Sequence, residues 1–351
     1  MLTSGTTGTP KGAPRRVSSA LAAAQFLDRI PYRSDGATFL AAPAFHGTGL
    51  SQLILTVSLG STVVLRRRFD AEAVLRGIQE NRCTAVVMVP TMLKRVLDLG
   101  SDVLARYDTS TLRIVFVAGS ALSPELGNRA TAAFGEVLYN LYGSTEVAVA
   151  TVATPADWKA APGTVGRIPV GCHVTLYDEH DRRIARPHQR GRVFVGSGLA
   201  FEGYTGGAHK EILDGLLSSG DAGYFDEAGR LFIDGRSDDM VISGGENVFP
   251  AEIENLLVTR GDVRDAAVFG VADADFGQRL KAFVVPEPGT TPDADALRAY
   301  VKDNLARYKV PKDVVFLDEL PRNAAGKVLR ARLLEHSDAT EGAAGSTKSR
   351  G

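Results

Sequence analysis

Short apolar runs separated by helix-like stretches dominate the first half of the chain. The run Ala85–Val89 is continuously apolar, which is typical of a strand buried on both faces of a sheet. Residues 112–117 and 137–141 are further strand candidates, and Ser123 followed by Pro124 predicts a capped helix start between them. Strands that alternate with helices predict a parallel, doubly wound α/β layer, with ligand loops beyond the carboxyl ends of its strands.

The pattern changes after about residue 150. Residues 164–195 hold shorter, more polar strand candidates with frequent Gly and Pro, which predicts a small β subdomain. Beyond a polar break at 235–239, strand-like and helix-like stretches predict a compact α+β domain, with helix starts at Pro250 and at Thr291–Pro292. The predicted divisions are a large domain at 1–236 with its β subdomain at about 153–236, a hinged C-terminal domain at 237–336, and a disordered tail at 337–351.

Composition excludes several classes of function. Forty basic and 41 acidic residues leave a formal charge of −1, so no basic field for nucleic acid is expected. Cys83 and Cys172 fit no metal or redox spacing, which indicates reduced, buried thiols in a cytoplasmic protein. The most apolar stretch, Leu50–Leu65, is too short and too polar to span a bilayer, although a lipid substrate would leave room for a peripheral membrane contact.

The first twelve residues, MLTSGTTGTPKG, combine three glycines, five hydroxyl side chains and one lysine. Backbone N–H groups, hydroxyl donors and a cation together suit a polyphosphate. The segment does not match the Walker A loop, because Pro10 precedes Lys11 where Gly is required and Gly12 follows where Ser or Thr is required. An ordinary P-loop NTPase is therefore not indicated, and a Gly/Thr surface turn is the alternative interpretation.

The string TSGTTGTPKG resembles the phosphate loop of the acyl-adenylate-forming enzymes, which include acyl-CoA synthetases, peptide-synthetase adenylation domains and luciferases. Further matches follow in the family's order, from residue 2 to about 334. Members of this family usually carry a long N-terminal portion before the loop, so the chain is expected to hold only part of the large domain. The resemblance implies that the phosphates of ATP are bound by Thr3, Ser4, Gly5, Thr6, Thr7, Gly8 and Lys11.

The segment Tyr142-Gly-Ser-Thr-Glu146 resembles the family's second motif. The resemblance implies that Tyr142 stacks on adenine, that Thr145 contacts the α-phosphate and that Glu146 ligates Mg²⁺. An aromatic face and a hard oxygen ligand suit these roles chemically. Standing alone, the peptide could equally be an ordinary turn after a strand. The same nucleotide pocket would include Gly143, Gly119 and Ser120.

Two further matches concern the sugar and the hinge. In the segment Ser219-Gly-Asp-Ala-Gly, the resemblance implies that Asp221 accepts hydrogen bonds from the ribose hydroxyls, supported by Arg236. The alternative for Asp221 is an N-cap or Asx-turn residue, since the glycines on both sides fit a turn equally well. Asp238 matches the family's hinge residue, about which the small domain rotates between the two half-reactions.

The remaining matches concern CoA, catalysis and the acyl site. Gly244 and Gly245 lie where the family's CoA ligases admit the pantetheine arm, and a Gly-Gly hairpin turn is compatible with that role. Lys327 takes the position of the adenylation lysine, which would otherwise be interpreted as a solvated surface residue. His46 resembles a residue beside the acyl site, and a packed, hydrogen-bonded histidine is an equal alternative.

The function implied by the resemblance is that of an ATP-dependent acyl-CoA ligase that forms an acyl-adenylate and transfers the acyl group to coenzyme A. Its cofactors and co-substrates would be ATP, Mg²⁺ and CoA, and its substrate a carboxylic acid, with a fatty acid predicted by analogy. Two alternatives remain: an adenylation module that serves a carrier protein, and a catalytically inactive nucleotide-binding fragment.

Overall fold

A computed structural model describes the greater part of the chain. The described residues are 2–3, 11–12, 24–200, 210–243, 246–273, 277–323 and 328–333. The chain divides into two compact units, Met1–Ile233 and Asp234–Gly351. The predicted tail at 337–351 lies outside the described residues.

The first unit begins with two short paired strands, β1 (Leu2–Thr3) and β2 (Lys11–Gly12). They run antiparallel, with Leu2 opposite Gly12 and Thr3 opposite Lys11. Both ends of the predicted phosphate loop therefore lie side by side, whereas its residues 4–10 lie outside the described part of the chain.

The main layer of this unit is a six-stranded sheet with the order β4-β3-β5-β6-β7-β8. Its strands are β3 (Ala37–Leu40), β4 (Thr62–Leu65), β5 (Ala85–Met88), β6 (Ile114–Ala118), β7 (Leu138–Tyr142) and β8 (Thr151–Ala153). Every neighbouring pair is parallel except β7 and β8, which are antiparallel. The predicted parallel α/β layer is confirmed, and β8 adds an antiparallel edge strand that was not predicted.

Helices cover this sheet because its central strands are apolar on both faces. The helices are α1 (Ala24–Leu27), α2 (Gly47–Ser58), α3 (Ala71–Glu80), α4 (Pro90–Leu97), α5 (Ser101–Leu104), α6 (Pro124–Phe134) and α7 (Pro155–Ala160). All residues of β5 and β6 are buried. Alternate strand residues enter separate cores, with Phe39 and Val86 in one and Leu40 and Val87 in the other.

The predicted start of α6 is confirmed in detail. The Ser123 hydroxyl accepts a hydrogen bond from the N–H of Leu126 at 3.2 Å, and Pro124 occupies the first helical position. Cys83 and Cys172 are both buried free thiols, and burial raises the pKa of each to about 11. Within the described residues, no helix combines the length and the apolar character that a membrane crossing requires.

The predicted β subdomain is a second six-stranded sheet with the order β10-β9-β11-β13-β12, to which β14 adds by pairing with β13. The strands are β9 (Cys172–Tyr177), β10 (Arg183–Ile184), β11 (Gly191–Ser197), β12 (Ile212–Leu213), β13 (Leu216–Phe225) and β14 (Leu231–Arg236). The register between β11 and β13 shifts, because Arg192 lies opposite Ala222 whereas Phe194 lies opposite Ser218. The extra residues of β13 form a bulge that contains Asp221.

The second unit is an α+β domain with its own apolar core. Its strands are β15 (Val241–Ser243), β16 (Glu246–Val248), β17 (Val263–Asp273), β18 (Gly277–Pro286) and β19 (Asp313–Phe316). Its helices are α8 (Pro250–Leu257), α9 (Ala294–Asn304), a 3₁₀ turn at Arg307–Lys309 and a helical segment described over residues 330–333. The sheet order is β16-β15-β18-β17, and β19 pairs parallel with β18.

The two predicted helix starts in this unit had different outcomes. Helix α8 begins at Pro250, as predicted. The predicted start at Thr291–Pro292 was wrong, because α9 begins later, with Asp293 as its N-cap. The Asp293 carboxylate accepts a hydrogen bond from the N–H of Ala296 at 2.9 Å and so satisfies a donor of the first turn.

Candidate active site

The carboxyl ends of the parallel strands bring several predicted residues to one edge of the sheet. Gly119 directly follows β6, with a backbone φ of +99°, and a Cβ there would lie 3.4 Å from Val89 and 3.5 Å from the Thr48 hydroxyl. Gly119 therefore lies close to the residue that follows β5 and to the first turn of α2. Ser120 comes next in the chain and belongs to the same loop.

Tyr142 is the last residue of β7, and a tight turn follows it. Its carbonyl accepts a hydrogen bond from the N–H of Ala150 at 2.9 Å. A Cβ on Gly143 would lie 1.9 Å from the carbonyl oxygen of Ala148, so only glycine fits at this position. The close approach compacts the turn that carries Thr145 and Glu146.

Ser144 organises this turn. Its hydroxyl accepts hydrogen bonds from the N–H groups of Glu146 at 3.2 Å and Val147 at 3.3 Å, and donates to Oε2 of Glu146 at 2.8 Å. Sequence reasoning assigned no role to Ser144, although a serine two residues before a carboxylate is typical of a hydroxyl-capped turn. Ser144 therefore fixes the orientation of the predicted magnesium ligand.

The donor set around Glu146 is compatible with a magnesium ion that is shared with substrate. The part of the chain that the structure describes contains no group of three or more His, Cys, Asp or Glu side chains placed to hold a metal. Mg²⁺ is commonly bound by one or two carboxylates, with substrate phosphates and water completing its coordination. A single oriented carboxylate at Glu146 meets that requirement.

Asp221 is positioned by the bulge in β13. Gly220, before it, has a φ of +82°, in the left-handed region that favours glycine. The N–H of Asp221 donates to the Ser219 hydroxyl at 3.1 Å, and that hydroxyl donates to the carbonyl of Val193 at 3.0 Å. The Ser219 hydroxyl thus holds the backbone of Asp221 within the bulge, and the Asx turn given as the alternative for Asp221 stays a prediction.

Tyr142 and Asp221 are in direct contact. The Tyr142 hydroxyl donates to Oδ2 of Asp221 at 2.5 Å, across 79 residues of sequence. A hydrogen bond to a charged acceptor is among the stronger kinds in proteins. The fold therefore brings the predicted adenine-stacking residue and the predicted ribose acceptor into direct contact.

Arg236 and Asp238, both in the second unit, pair with each other. The Arg236 guanidinium donates to both carboxylate oxygens of Asp238, at 2.9 and 3.0 Å. The pair joins the residue predicted to support the ribose to the residue predicted to act as hinge. Because both side chains are substantially exposed, the pair alone adds little to stability.

His46 immediately precedes α2. Its carbonyl accepts from the N–H of Leu50 at 2.8 Å, and its N–H donates to the carbonyl of Pro43 at 3.1 Å. The ring centre of Phe45 lies 4.6 Å from that of His46, and Phe45 is 72% exposed. The backbone of His46 starts the helix, and its gating role at an acyl site stays a prediction.

Several predicted site residues lie outside the described part of the chain. For Thr3 and Lys11 only the strand backbone is described, whereas nothing is described for the other residues concerned. Those residues are Ser4, Gly5, Thr6, Thr7, Gly8, Gly244, Gly245 and Lys327. On either side of Gly244 and Gly245, Ser243 and Glu246 are paired in the antiparallel ladder of β15 and β16.

Two family models match the chain. The model described as AMP-binding enzyme matches residues 1–205, more than half of the chain. The chain belongs to the AMP-binding enzyme family. The model described as AMP-binding enzyme C-terminal domain matches residues 252–327, within the second unit. The resemblance found in the sequence motifs is thereby confirmed.

Curated relatives of this AMP-binding enzyme carry different substrate names. It is 39% identical to an indoleacetate–CoA ligase from Aromatoleum aromaticum over 93% of this chain and 64% of the relative. It is 36% identical to a 2-succinylbenzoate–CoA ligase from Bacillus pumilus over 95% of this chain and 68% of the relative. A long-chain-fatty-acid–CoA ligase from Bacillus subtilis is 32% identical over 95% and 60%. The chain thus spans about two thirds of the length of these relatives.

Solved structures confirm the fold of this AMP-binding enzyme. An amide bond synthetase, McbA, from Marinactinospora thermotolerans matches with a TM-score of 0.86 and 32% identity, over 95% of this chain and 68% of that one. The o-succinylbenzoate CoA synthetase from Bacillus subtilis, solved with its acyl-adenylate intermediate, matches with a TM-score of 0.84 and 30% identity over the same shares.

Proposed function

We propose that the protein to which this chain belongs is an AMP-forming acid–thiol ligase. In the first step, a carboxylate oxygen of the acid attacks the α-phosphorus of ATP, and pyrophosphate leaves. In the second step, the thiol of CoA loses its proton to solvent, its sulfur attacks the acyl carbon, and the bond from that carbon to the phosphate oxygen breaks to release AMP. The contact between Tyr142 and Asp221 carries the proposal, because it unites two nucleotide motifs that are distant in sequence.

The nucleoside would be held by Tyr142 and Asp221. The ring of Tyr142 would stack on adenine, and the Asp221 carboxylate would accept from the ribose hydroxyls, with Arg236 supporting the same sugar. Gly119, Ser120 and Gly143 would allow the base to approach the backbone closely. The loop at residues 3–11 would bind the phosphates through its N–H groups, hydroxyls and Lys11.

Charge at the reacting phosphate would be balanced by three groups. Thr145 would donate a hydrogen bond to the α-phosphate, and Lys327 would bring an ammonium group to the carboxylate and the α-phosphate. Glu146, held by Ser144, would bind a magnesium ion. When bound, that ion supplies positive charge that neutralises the phosphate oxygens.

The second step would follow a rotation of the small domain about Asp238. That rotation would withdraw Lys327 and bring Gly244 and Gly245 to the entrance for the pantetheine arm of CoA. His46 would lie beside the acyl group. These roles rest on the motif matches together with the defined turns around Glu146 and Asp221.

The class of acid has two candidates. The family resemblance suggests a fatty acid by analogy, and one relative is named for a long-chain fatty acid. An aromatic acid is favoured by the two relatives of higher identity, which are named for indoleacetate and 2-succinylbenzoate. We therefore propose that the substrate is a carboxylic acid with an apolar body. Whether that body is an alkyl chain or an aromatic ring is the question for experiment.

The deciding experiment is acid-dependent exchange of labelled pyrophosphate into ATP, with magnesium present. The acids are decanoate, palmitate, indoleacetate and 2-succinylbenzoate, each tested alone. Exchange with one acid class, followed by thioester formation when CoA is added, is the expected result. Stabilisation by MgATP in a thermal shift assay, with no exchange for any acid, would instead favour the inactive nucleotide-binding fragment.

A second measurement separates CoA from a carrier protein. Product formation with CoA is expected, whereas transfer only to a phosphopantetheinylated carrier would favour the carrier-linked module. Lys327→Ala should abolish exchange and leave ATP binding intact. The matched control is Lys302→Ala on the exposed face of α9, which should change neither property. Full exchange by Lys327→Ala would contradict the role of Lys327.

A further inference from the structure

Two segments of the second unit come together on either side of residues 324–327. Arg322 and Val328 form an antiparallel bridge, and the N–H of Leu329 donates to the carbonyl of Pro321 at 2.8 Å. Residues 322 and 328, which flank the five residues 323–327, therefore lie side by side. We call residues 321–322 and 328–330 the hairpin stem.

Ion pairs attach both arms of the hairpin stem to the domain. On one arm, Arg322 pairs with Asp265 of β17 at 2.8 Å. On the other arm, Arg330 pairs with Asp239 at 3.3 Å and also donates to the carbonyl of Gly270 at 3.1 Å. Each arm of the hairpin stem is thus connected to β17, through Asp265 on one arm and the carbonyl of Gly270 on the other, and Arg330 is also connected to Asp239.

Arg330 has a third contact that fixes its direction. Its guanidinium carbon lies 5.1 Å from the centre of the Phe269 ring, within the range of a cation–π interaction. The planar guanidinium can stack on the ring while its N–H groups reach a carboxylate and a carbonyl, which a lysine ammonium cannot reproduce. Arg330 is therefore held by β17 and by Asp239 at the same time.

Asp239 connects this arrangement to the predicted hinge. It directly follows Asp238, and its N–H donates to the carbonyl of Arg236 at 3.2 Å. Burial and the neighbouring Asp238 raise the pKa of the Asp239 carboxyl, whereas Arg330 and Arg236 lower it. The net effect is a raised pKa, and Arg330, which donates to the Asp239 carboxylate, favours its ionised form.

We propose that Arg330 is a positioning residue for adenylation. Through Asp239 it fixes the hairpin stem to the segment that follows the hinge, so that rotation about Asp238 carries the stem together with that segment. This inference rests on the proposed function, in which Lys327 acts in the adenylation step and is withdrawn for the thioester step. In this role Arg330 acts through Asp239 and not by contact with substrate.

Separate measurement of the two half-reactions distinguishes a positioning role of Arg330 from a general effect on folding. Arg330→Gln should lower pyrophosphate exchange by about tenfold or more, since a small misplacement of a reacting group is costly. Asp239→Asn should act in the same direction to a smaller extent, and Arg330→Lys should recover part of the loss. Thioester formation from a supplied acyl-adenylate and CoA should stay within about twofold of wild type.

The matched control is Arg298→Gln. Arg298 also pairs with an aspartate, Asp295, donates to a backbone carbonyl, that of Lys312, and is exposed to a similar degree, with 32% of its side chain accessible against 39% for Arg330. It lies on α9, away from the hairpin stem. Equal loss of both half-reactions in Arg330→Gln, or adenylation indistinguishable from Arg298→Gln, would overturn the proposal.

Hydrogen exchange supplies a readout that needs no turnover. Amides of residues 328–333 should exchange several-fold faster in Arg330→Gln than in wild type or Arg298→Gln, because the stem loses its tie to Asp239. Unchanged exchange would overturn the anchoring role. If the wild-type protein performed neither half-reaction, the proposed function would be wrong. The hydrogen-exchange measurement would still decide whether Arg330 anchors the hairpin stem.

Discussion

The Tyr142 hydroxyl donates a hydrogen bond to Oδ2 of Asp221 at 2.5 Å and thereby connects the end of β7 to the bulge in β13. The carboxylate has further acceptor positions, so a ribose could bind while the tyrosine keeps its orientation. Under the proposed function, this hydrogen bond would hold the ring and the carboxylate in place before the nucleoside binds.

Removal of the Tyr142 hydroxyl tests this preorganisation. Tyr142→Phe keeps the ring for stacking but loses a hydrogen bond to a charged acceptor, a type worth about 1.5–3 kcal/mol. We expect ATP affinity to fall by about tenfold, measured by calorimetric titration with MgATP. Tyr139→Phe, on the same strand and facing the apolar core, is the control and should bind ATP normally. Equal affinity of the two variants would contradict the coupling.

The sequence predicted the elements that depend on local chemistry. Ser123 and Pro124 defined the start of α6, and the apolar runs located the central strands, because caps and alternation are local signals. It did not predict the contact between Tyr142 and Asp221, which depends on the register of two strands in different sheets. Such pairing is fixed by packing across the whole unit.

Two other differences between the sequence-based prediction and the structure have equally specific causes. Thr291 and Pro292 form a plausible start signal, but Asp293 supplies the side chain that caps α9. Ser144 was overlooked because its role is to orient another side chain, and the motif draws attention to the groups expected to touch the nucleotide. Residues that orient others are visible only when hydrogen-bond partners are known.

Ser144 should control the response to magnesium. Ser144→Ala removes the donor to Glu146 and the acceptor for two N–H groups of the turn, whereas Ser144→Thr keeps a hydroxyl. We expect the magnesium concentration for half-maximal pyrophosphate exchange to rise several-fold in Ser144→Ala and to recover in Ser144→Thr. A normal magnesium response in the alanine variant would show that Glu146 is oriented by other contacts.

Gly143 should tolerate no side chain. In Gly143→Ala the new Cβ would lie 1.9 Å from the carbonyl oxygen of Ala148, so the turn with Thr145 and Glu146 must shift. Overpacking of this kind costs about 1–3 kcal/mol, and we expect exchange activity to fall at least about tenfold. The control is Gly198→Ala, whose Cβ would have only an ordinary contact at 3.6 Å with Gln25. Similar melting temperatures and activities for both variants would refute this account.

Glu254 of α8 gives the second unit a pH-dependent stability. Burial raises the pKa of its carboxyl from 4.5 to about 7, and nearby Asp265 adds to that effect, whereas the N–H of Val268, which donates to it at 2.8 Å, opposes it. Between about pH 4.5 and about pH 7, the Glu254 carboxyl therefore keeps its proton in the folded state and has lost it in the unfolded state. The stabilising contribution is therefore complete below about pH 4.5 and is lost as the pH rises towards about 7.

Glu254→Gln should remove this dependence, since the amide stays neutral and its oxygen can still accept from Val268. At pH 8 we expect the free energy of unfolding of the variant to exceed that of wild type by on the order of 2 kcal/mol, a value reduced because Glu254 is partly exposed. Near pH 4.5 the two free energies should be equal. The measurement is urea unfolding from pH 4.5 to 8, followed by hydrogen exchange of β17 amides. The control is Glu252→Gln, since Glu252 is also on α8 and its carboxylate pairs with Lys309. This variant should keep the wild-type dependence of unfolding free energy on pH. A wild-type slope in Glu254→Gln would assign the pH dependence to another group.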